Sequence, residues 1–153
     1  MKKILLVIIL LNVVFAYDIS GLYDMSFGGN DNYVEVFKKN NKYYAVAFTN
    51  KEEIQKGENN KQNVEASKYS VFVWNLLETT KGKYENGKIL DMLHKHIYYA
   101  SAKYDGGKFL EVRVSEDKKG ILGMTLKWRK LDSKEIESLK SRRVDINKLA
   151  LPK

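Results

Sequence analysis

Two histidines are the side chains whose type and spacing most readily suggest chemistry. His94 and His96 are the only histidines of the chain, and on a strand that begins at His94 both rings would lie on one face. Structural zinc sites take four ligands and catalytic ones usually take three. Glu78, Glu85 or Asp91 could supply a third ligand only if the fold brought it close. We therefore predict no metal site, and expect a pair of surface histidines.

The remaining residues give little support to covalent or cofactor chemistry. The chain has no cysteine, which excludes thiol nucleophiles and cysteine-bound zinc. No serine lies in a G-x-S-x-G turn, and no P-loop or G-x-G-x-x-G string is present. The serines within or beside predicted strands that could act as nucleophiles are Ser20, Ser26, Ser70, Ser101 and Ser115. The 19 acidic residues leave a glycosidase pair open, but we predict no enzyme, no catalytic residues and no cofactor.

The first sixteen residues have the pattern of a secretory signal peptide. Met1-Lys2-Lys3 is positively charged, residues 4–14 are apolar except for Asn12, and Val14-Phe15-Ala16 places small residues where a signal peptidase reads. The apolar run is shorter than the about 20 residues that a membrane-spanning helix needs. We predict that residues 1–16 are removed and that residues 17–153 form one domain, periplasmic or secreted.

The mature chain has the pattern of antiparallel β structure. Turn-forming strings occur at residues 28–31, 40–41, 85–87, 105–107 and 117–120. The segments between them alternate between apolar and polar side chains, as strands with one buried face do. We predict strands over residues 19–26, 33–39, 42–49, 69–77, 87–91, 95–104, 108–115 and 121–131. Eight strands in one small domain favour a closed barrel, whose interior is either filled or holds one small ligand.

Two segments depart from this pattern. Residues 50–68 are rich in lysine, glutamate, glutamine and asparagine, and we expect a long polar loop, either a lid or a plain solvated connection. Asp132 and Glu135 have the spacing of a capping box. A short helix is therefore expected up to about Ser141, followed by a basic tail over residues 140–153.

An ordered series of strand residues resembles a known family. It comprises Gly87-Lys88-Ile89-Leu90-Asp91, Tyr98 to Tyr104, Gly107 to Arg113 and Leu122 to Trp128. The series resembles the C-terminal half of a family of small exported bacterial proteins of unknown function, which is similar to the lipocalins in fold. The resemblance is best over residues 87–131. It implies an all-β, antiparallel, eight-stranded lipocalin-like barrel (a calycin) with a short C-terminal α-helix, an apolar cavity and no catalysis.

Aromatic and apolar side chains on the predicted strand faces form the candidate cavity wall. Phe72, Trp74 and Leu76 are expected to share one face, and Ala100 and Ala102 to leave space within the barrel. The predicted ligand-binding residues are Tyr44, Phe48, Phe72, Trp74, Tyr98, Met124, Leu126 and Trp128. An ordinary filled core is the alternative that these residues leave open.

Two functions of different classes follow. The first is an exported carrier of a small hydrophobic or amphipathic molecule, gated by residues 50–68. The second is a secreted protein- or surface-interaction module (an inhibitor or host-contact factor) with a filled core, which would contact anionic surfaces through basic tail residues Lys140, Arg142, Arg143, Lys148 and Lys153. The formal charge is +8, or +6 without Lys2 and Lys3. Export argues against a nucleic-acid partner, and the sequence sets neither the ligand nor the oligomeric state.

Overall fold

The computed structural model describes residues 17–25, 32–48 and 71–153. Within them eight antiparallel strands pair in chain order, and β1 pairs with β8 to close a barrel. The strands are β1 (Gly21–Asp24), β2 (Tyr33–Lys39), β3 (Lys42–Ala47), β4 (Val71–Thr80), β5 (Lys83–Asp91), β6 (His96–Lys103), β7 (Phe109–Ser115) and β8 (Gly123–Lys130). The predicted all-β barrel is confirmed. The predicted signal peptide 1–16 and polar loop 50–68 lie outside the described residues.

Turn residues that adopt positive φ determine where the strands end. Asn40 and Asn41, with φ of 50° and 61°, form the two-residue connection between β2 and β3, as predicted from their tolerance of that conformation. Gly82 ends the β4–β5 hairpin with φ of 73°. A Cβ atom there would lie 2.2 Å from the carbonyl oxygen of Tyr104, so only glycine fits.

Residues 85–87 form a bulge and not the predicted turn. β5 continues through them, with a register shift between Tyr84 and Gly87 where it pairs with β6. Asn86 has a φ of 62°, which a bulge accommodates as readily as a turn does. The prediction was wrong because Asn-Gly favours positive φ and does not specify which of the two structures uses it.

Strand β4 is irregular, and this changes the faces of its side chains. Asn75 has a φ of 63°, and the pairing of β3 with β4 shifts register twice. Phe72 and Val73 therefore both pack inside the barrel, whereas Trp74 packs on the outside. The expectation that Phe72 and Trp74 share a face was wrong, because strict alternation does not survive bulges.

Tyrosines fill the barrel end where the β2–β3, β4–β5 and β6–β7 connections meet. The Tyr23 hydroxyl donates to the Ile19 carbonyl at 2.8 Å, and the Tyr84 hydroxyl donates to the Tyr17 carbonyl. The rings of Tyr43 and Tyr84 meet edge to face, with centroids 5.3 Å apart. Burial raises the pKa of Tyr43 to about 12 and raises the pKa values of Tyr23 and Tyr84 as well. These phenols are therefore neutral core residues at ordinary pH.

The capping box predicted after β8 is present. The Asp132 carboxylate accepts from the backbone N–H of Glu135, and the Glu135 carboxylate accepts from the backbone N–H of Asp132, both at 2.9 Å. Helix α1 covers Ser133–Ser138. It is shorter than expected, because the Leu139 N–H already donates to Ile136 and a 3₁₀ turn over Lys140–Arg142 follows.

The segment after β8, including helix α1, lies over the outside of the barrel. We call this segment, residues 132–151, the strap. Ile136 and Leu139 of the strap pack with Leu22 in one cluster. Leu149 packs with Trp74 in another, over the outer faces of β2, β3 and β4. The barrel therefore has apolar side chains on both surfaces of its wall. No helix in the described ranges is long and apolar enough to cross a membrane.

Candidate functional site

An open cavity of about 440 Å³ occupies the barrel end opposite the tyrosine cluster. This volume lies within the about 300–1,000 Å³ that is usual for small-molecule sites. Its wall is formed by Met25, Asn32, Phe72, Ile89, Leu90, Asp91, Tyr98, Val114, Ser115, Glu116, Leu122, Gly123, Met124, Leu126 and Trp128. One half of the barrel is thus filled, and the other half is hollow and opens at a mouth.

Five of the eight predicted binding residues line this cavity: Phe72, Tyr98, Met124, Leu126 and Trp128. Trp128 is 2 % exposed and lies between the two halves of the barrel, since its ring is 6.5 Å from Tyr23 and 6.2 Å from Phe72. Its indole N–H is buried without an acceptor in the part of the chain that the structure describes. An unpaired buried donor of this kind costs about 1–3 kcal/mol.

The other three predicted residues do not line the cavity, and their placement is corrected here. Trp74 and Tyr44 pack outside the barrel under the strap, and Phe48 packs with the cluster around Leu139. Alternation tells which side chains share a face but not which face is inside. Because the strap makes the outer face apolar as well, the usual contrast between core and solvent is missing here.

Sequence reasoning missed several wall residues that the pattern contained. Val114 alternates with the core residues Leu110 and Val112 along β7, and Ile89 lies within the predicted strand 87–91. The sequence pattern therefore indicated both Val114 and Ile89. The space expected beside Ala100 is less open than predicted, because its cross-strand partner is Gly87 and the side chain of Leu76 packs on that glycine.

Two histidine–carboxylate pairs lie at the mouth. The carboxylate of Asp91 accepts from the backbone N–H groups of Leu93 at 2.8 Å and His94 at 3.1 Å, and lies 2.8 Å from His94 Nδ1. The side-chain hydrogen bond with His94 is the main cause that lowers the pKa of Asp91 to about 2. His96 Nε2 lies 3.4 Å from a carboxylate oxygen of Glu116. Each histidine therefore faces its own carboxylate.

The two histidines do not share a strand face as expected. β6 begins only at His96, and Lys95 between them has a φ of 55°, so His94 belongs to the preceding turn. The described residues contain no group of three His, Cys, Asp or Glu side chains placed to hold a metal ion.

A second concavity, of about 660 Å³, lies on the barrel surface at the tyrosine end. Its wall includes five lysines, namely Lys81, Lys83, Lys103, Lys108 and Lys127. Lys83 and Lys103 are direct cross-strand neighbours, an arrangement in which like charges repel. The two ends of the barrel are therefore chemically different, with an apolar cavity at one and a basic groove at the other.

A closed eight-stranded antiparallel barrel, hollow at one end and flanked by a C-terminal helix, defines a protein of the lipocalin-like class. Among solved structures the chain is similar to protein HP1028 from the human pathogen Helicobacter pylori, described as belonging to the lipocalin family. The two are 24 % identical with a TM-score of 0.67, and the match covers 86 % of this chain and 95 % of that one. No curated protein matches the sequence.

The chain belongs to the bacterial family described as "Uncharacterized protein conserved in bacteria (DUF2147)". The family profile matches residues 21–130, from the first residue of β1 to the last residue of β8. Both the resemblance to a small bacterial family and the lipocalin-like fold that it implied are confirmed.

Proposed function

We propose that the protein binds or carries a small hydrophobic or amphipathic molecule in the barrel cavity. The observation that carries the proposal is the cavity of about 440 Å³ at the barrel mouth. Its wall is mostly aliphatic and aromatic, and such a wall stabilises a ligand by removing apolar surface from water. The lipocalin-like fold supports the same assignment.

The polar groups of the cavity favour an amphipathic ligand over a pure hydrocarbon. The unpaired indole N–H of Trp128 would be satisfied by a ligand that brings a hydrogen-bond acceptor deep into the barrel. At the mouth, Asn32 and Ser115 provide further polar side chains. A carbonyl, ether or ester group near the inner end of an apolar skeleton fits this distribution.

We also propose that the protein works outside the cytoplasm, in the periplasm or after secretion. The N-terminal pattern of residues 1–16, with its basic start and apolar run, supports this location. A hydrophobic compound crossing an aqueous compartment needs a binding protein, which is consistent with the cavity. The proposal includes no catalysis.

The interaction module is the second candidate, and the strap supports it poorly. Arg143 bonds to the buried carboxylate of Glu35, and Arg142 is buried with its guanidinium 5.5 Å from the ring of Tyr33. These two arginines hold the strap on the barrel, so they do not support the binding of a second protein or a surface. The basic groove around Lys83 is the better surface for an anionic partner, and such binding would weaken strongly with salt.

Native mass spectrometry of protein purified from its own host tests the carrier proposal. We expect a stoichiometric small-molecule adduct that is lost on denaturation and that solvent extraction identifies. Val114→Trp, which places a large side chain in the cavity, should abolish uptake of a naphthalene dye. Leu77→Trp, on an outward-facing residue that is 39 % exposed, is the control. Equal dye uptake by both variants would reject the cavity as the binding site.

A further inference from the structure

Exposed apolar side chains are concentrated at the mouth of the barrel. Of eight large hydrophobic residues that are exposed in the described ranges, six belong to the β5–β6 and β7–β8 turns or the strand ends beside them: Met92, Leu93, Ile97, Ile121, Leu122 and Met124. Leu93 is 81 % exposed, Ile121 is 70 % exposed and Leu122 is 67 % exposed. Single exposed apolar residues are ordinary, but a cluster marks an interaction surface.

We call the β5–β6 turn (residues 92–95) and the β7–β8 turn (residues 116–122) the mouth tips. Each tip is held by an aspartate that accepts backbone hydrogen bonds. Asp91 accepts from the first tip, as described above. Asp117 accepts from the N–H groups of Ile121 at 3.2 Å and Leu122 at 2.6 Å, and these backbone bonds lower its pKa. The apolar side chains are therefore presented to the outside by well-bonded turns.

The mouth tips form one surface that continues the cavity wall. His96, which directly follows the first tip, lies 3.4 Å from Glu116 of the second tip. Leu122 and Met124 line the cavity and are also exposed. Apolar surface therefore continues from inside the barrel onto the second tip.

The tips carry exposed charges of both signs. Three are lysines, Lys95 on the first tip and Lys118 and Lys119 on the second, and one is the carboxylate of Glu116, which lies beside His96. The aspartates are half-buried and face backbone N–H groups of their own turns. Lysines beside apolar side chains suit a membrane surface, since their stems can lie along hydrocarbon while the ammonium groups reach lipid phosphates.

We infer that the mouth tips dock on the surface of an anionic lipid bilayer, with Leu93, Ile121 and Leu122 entering the boundary between headgroups and acyl chains. A bilayer fits better than a protein partner because the exposed apolar residues lie on two neighbouring turns at the cavity mouth, with basic side chains beside them. The inference goes beyond the proposed function and adds how the ligand would enter the cavity. Docking would place the cavity mouth against the lipid phase, in which a hydrophobic ligand dissolves.

Vesicle co-sedimentation tests the inference with protein exported by a bacterial host, so that every variant has the same N-terminus. We expect binding to phosphatidylcholine vesicles that contain phosphatidylglycerol, and weaker binding without it. The double variant Leu93→Ser/Ile121→Ser should lose about tenfold or more in vesicle affinity, since two aliphatic side chains no longer leave water. The matched control is Leu77→Ser, which removes an outward-facing side chain (39 % exposed) that lines neither the cavity nor the basic groove and should bind as the unmodified protein does.

The charge variant Lys118→Glu/Lys119→Glu tests the second part of the argument. It leaves the apolar tips intact and should abolish the preference for vesicles with phosphatidylglycerol. The inference is overturned if the unmodified protein does not bind vesicles, if the double serine variant binds as tightly as the control, or if the charge variant keeps the preference. Dye uptake in solution is measured on the same samples. Normal uptake with no vesicle binding would reject docking and leave the carrier proposal standing.

Discussion

The two tryptophans provide a matched pair that separates ligand binding from stability. Trp74 is 6 % exposed and Trp128 is 2 % exposed, so both are core residues. Trp74 packs between the barrel and the strap, whereas Trp128 lines the cavity. We predict that Trp74→Phe lowers stability at least as much as Trp128→Phe does, and that only Trp128→Phe weakens binding.

The expected magnitudes follow from this placement. Replacing a buried tryptophan with alanine costs about 3–5 kcal/mol, and phenylalanine keeps much of that packing, so Trp74→Phe should lose about 1–2 kcal/mol of unfolding free energy. Trp128→Phe should lose less, because it also removes an unpaired buried donor. For a domain of this size each kcal/mol lowers the melting temperature by about 3–6 °C. Trp128→Phe also removes the indole N–H and part of the cavity wall. A loss of about 1–2 kcal/mol in binding corresponds to a dissociation constant raised about five- to thirtyfold.

Each variant retains one tryptophan, which makes the assay specific. A brominated fatty acid quenches indole fluorescence only at contact. It should quench Trp128 in the Trp74→Phe protein and leave Trp74 unchanged in the Trp128→Phe protein. Affinity is measured separately by titration with a naphthalene dye. Equal losses of affinity in the two variants, or quenching of Trp74, would refute the assignment of the cavity as the ligand site.

Three further predictions concern the barrel and its strap. Gly87→Ala would place a Cβ atom 2.6 Å from Leu76 Cδ2, and urea unfolding should show a loss of about 1–3 kcal/mol; an unchanged midpoint contradicts this. Arg129 lowers the pKa of Glu135 to about 2, so this pair stabilises the fold above the ordinary carboxyl pKa and is lost as pH falls from about 4.5 towards 2. Glu135→Gln should therefore flatten acid unfolding in that window, and an unaltered pH profile would count against the pair. Leu149→Ala should lower stability by about 2–4 kcal/mol in thermal unfolding without changing dye affinity, and weaker dye binding would show that the strap supports the cavity.

The features that the sequence predicted well are those set by neighbouring residues. Asn40-Asn41 turns because both residues tolerate positive φ. The capping box needs only Asp132 and Glu135, three positions apart. Alternation along β7 and β8 identified strands whose bounds differ from expectation by one or two residues. Local rules therefore account for the elements and, with the strand count, for the barrel.

The cavity wall was only partly predictable because it depends on contacts distant in sequence. Trp74 and Trp128 look alike as apolar members of alternating strands. What distinguishes them is a strap residue, Leu149, far along the chain, together with the register shift between Val71 and Val73 in the pairing of β4 with β3. A register shift of one residue moves every later side chain to the opposite face of the sheet. The sequence of β4 does not indicate where the shift occurs.

The hollow end of the barrel implies a compensating source of stability elsewhere. Side chains that line a cavity forgo packing contacts on one side, and the chain has no disulfide with which to offset that loss. The tyrosine cluster around Tyr84 and the two clusters under the strap supply additional buried area. On this reasoning the strap acts mainly on stability and the mouth mainly on ligand exchange. Substitutions at Leu149 and at Leu93 should therefore affect different measurements, unfolding free energy for the first and transfer of ligand to and from vesicles for the second.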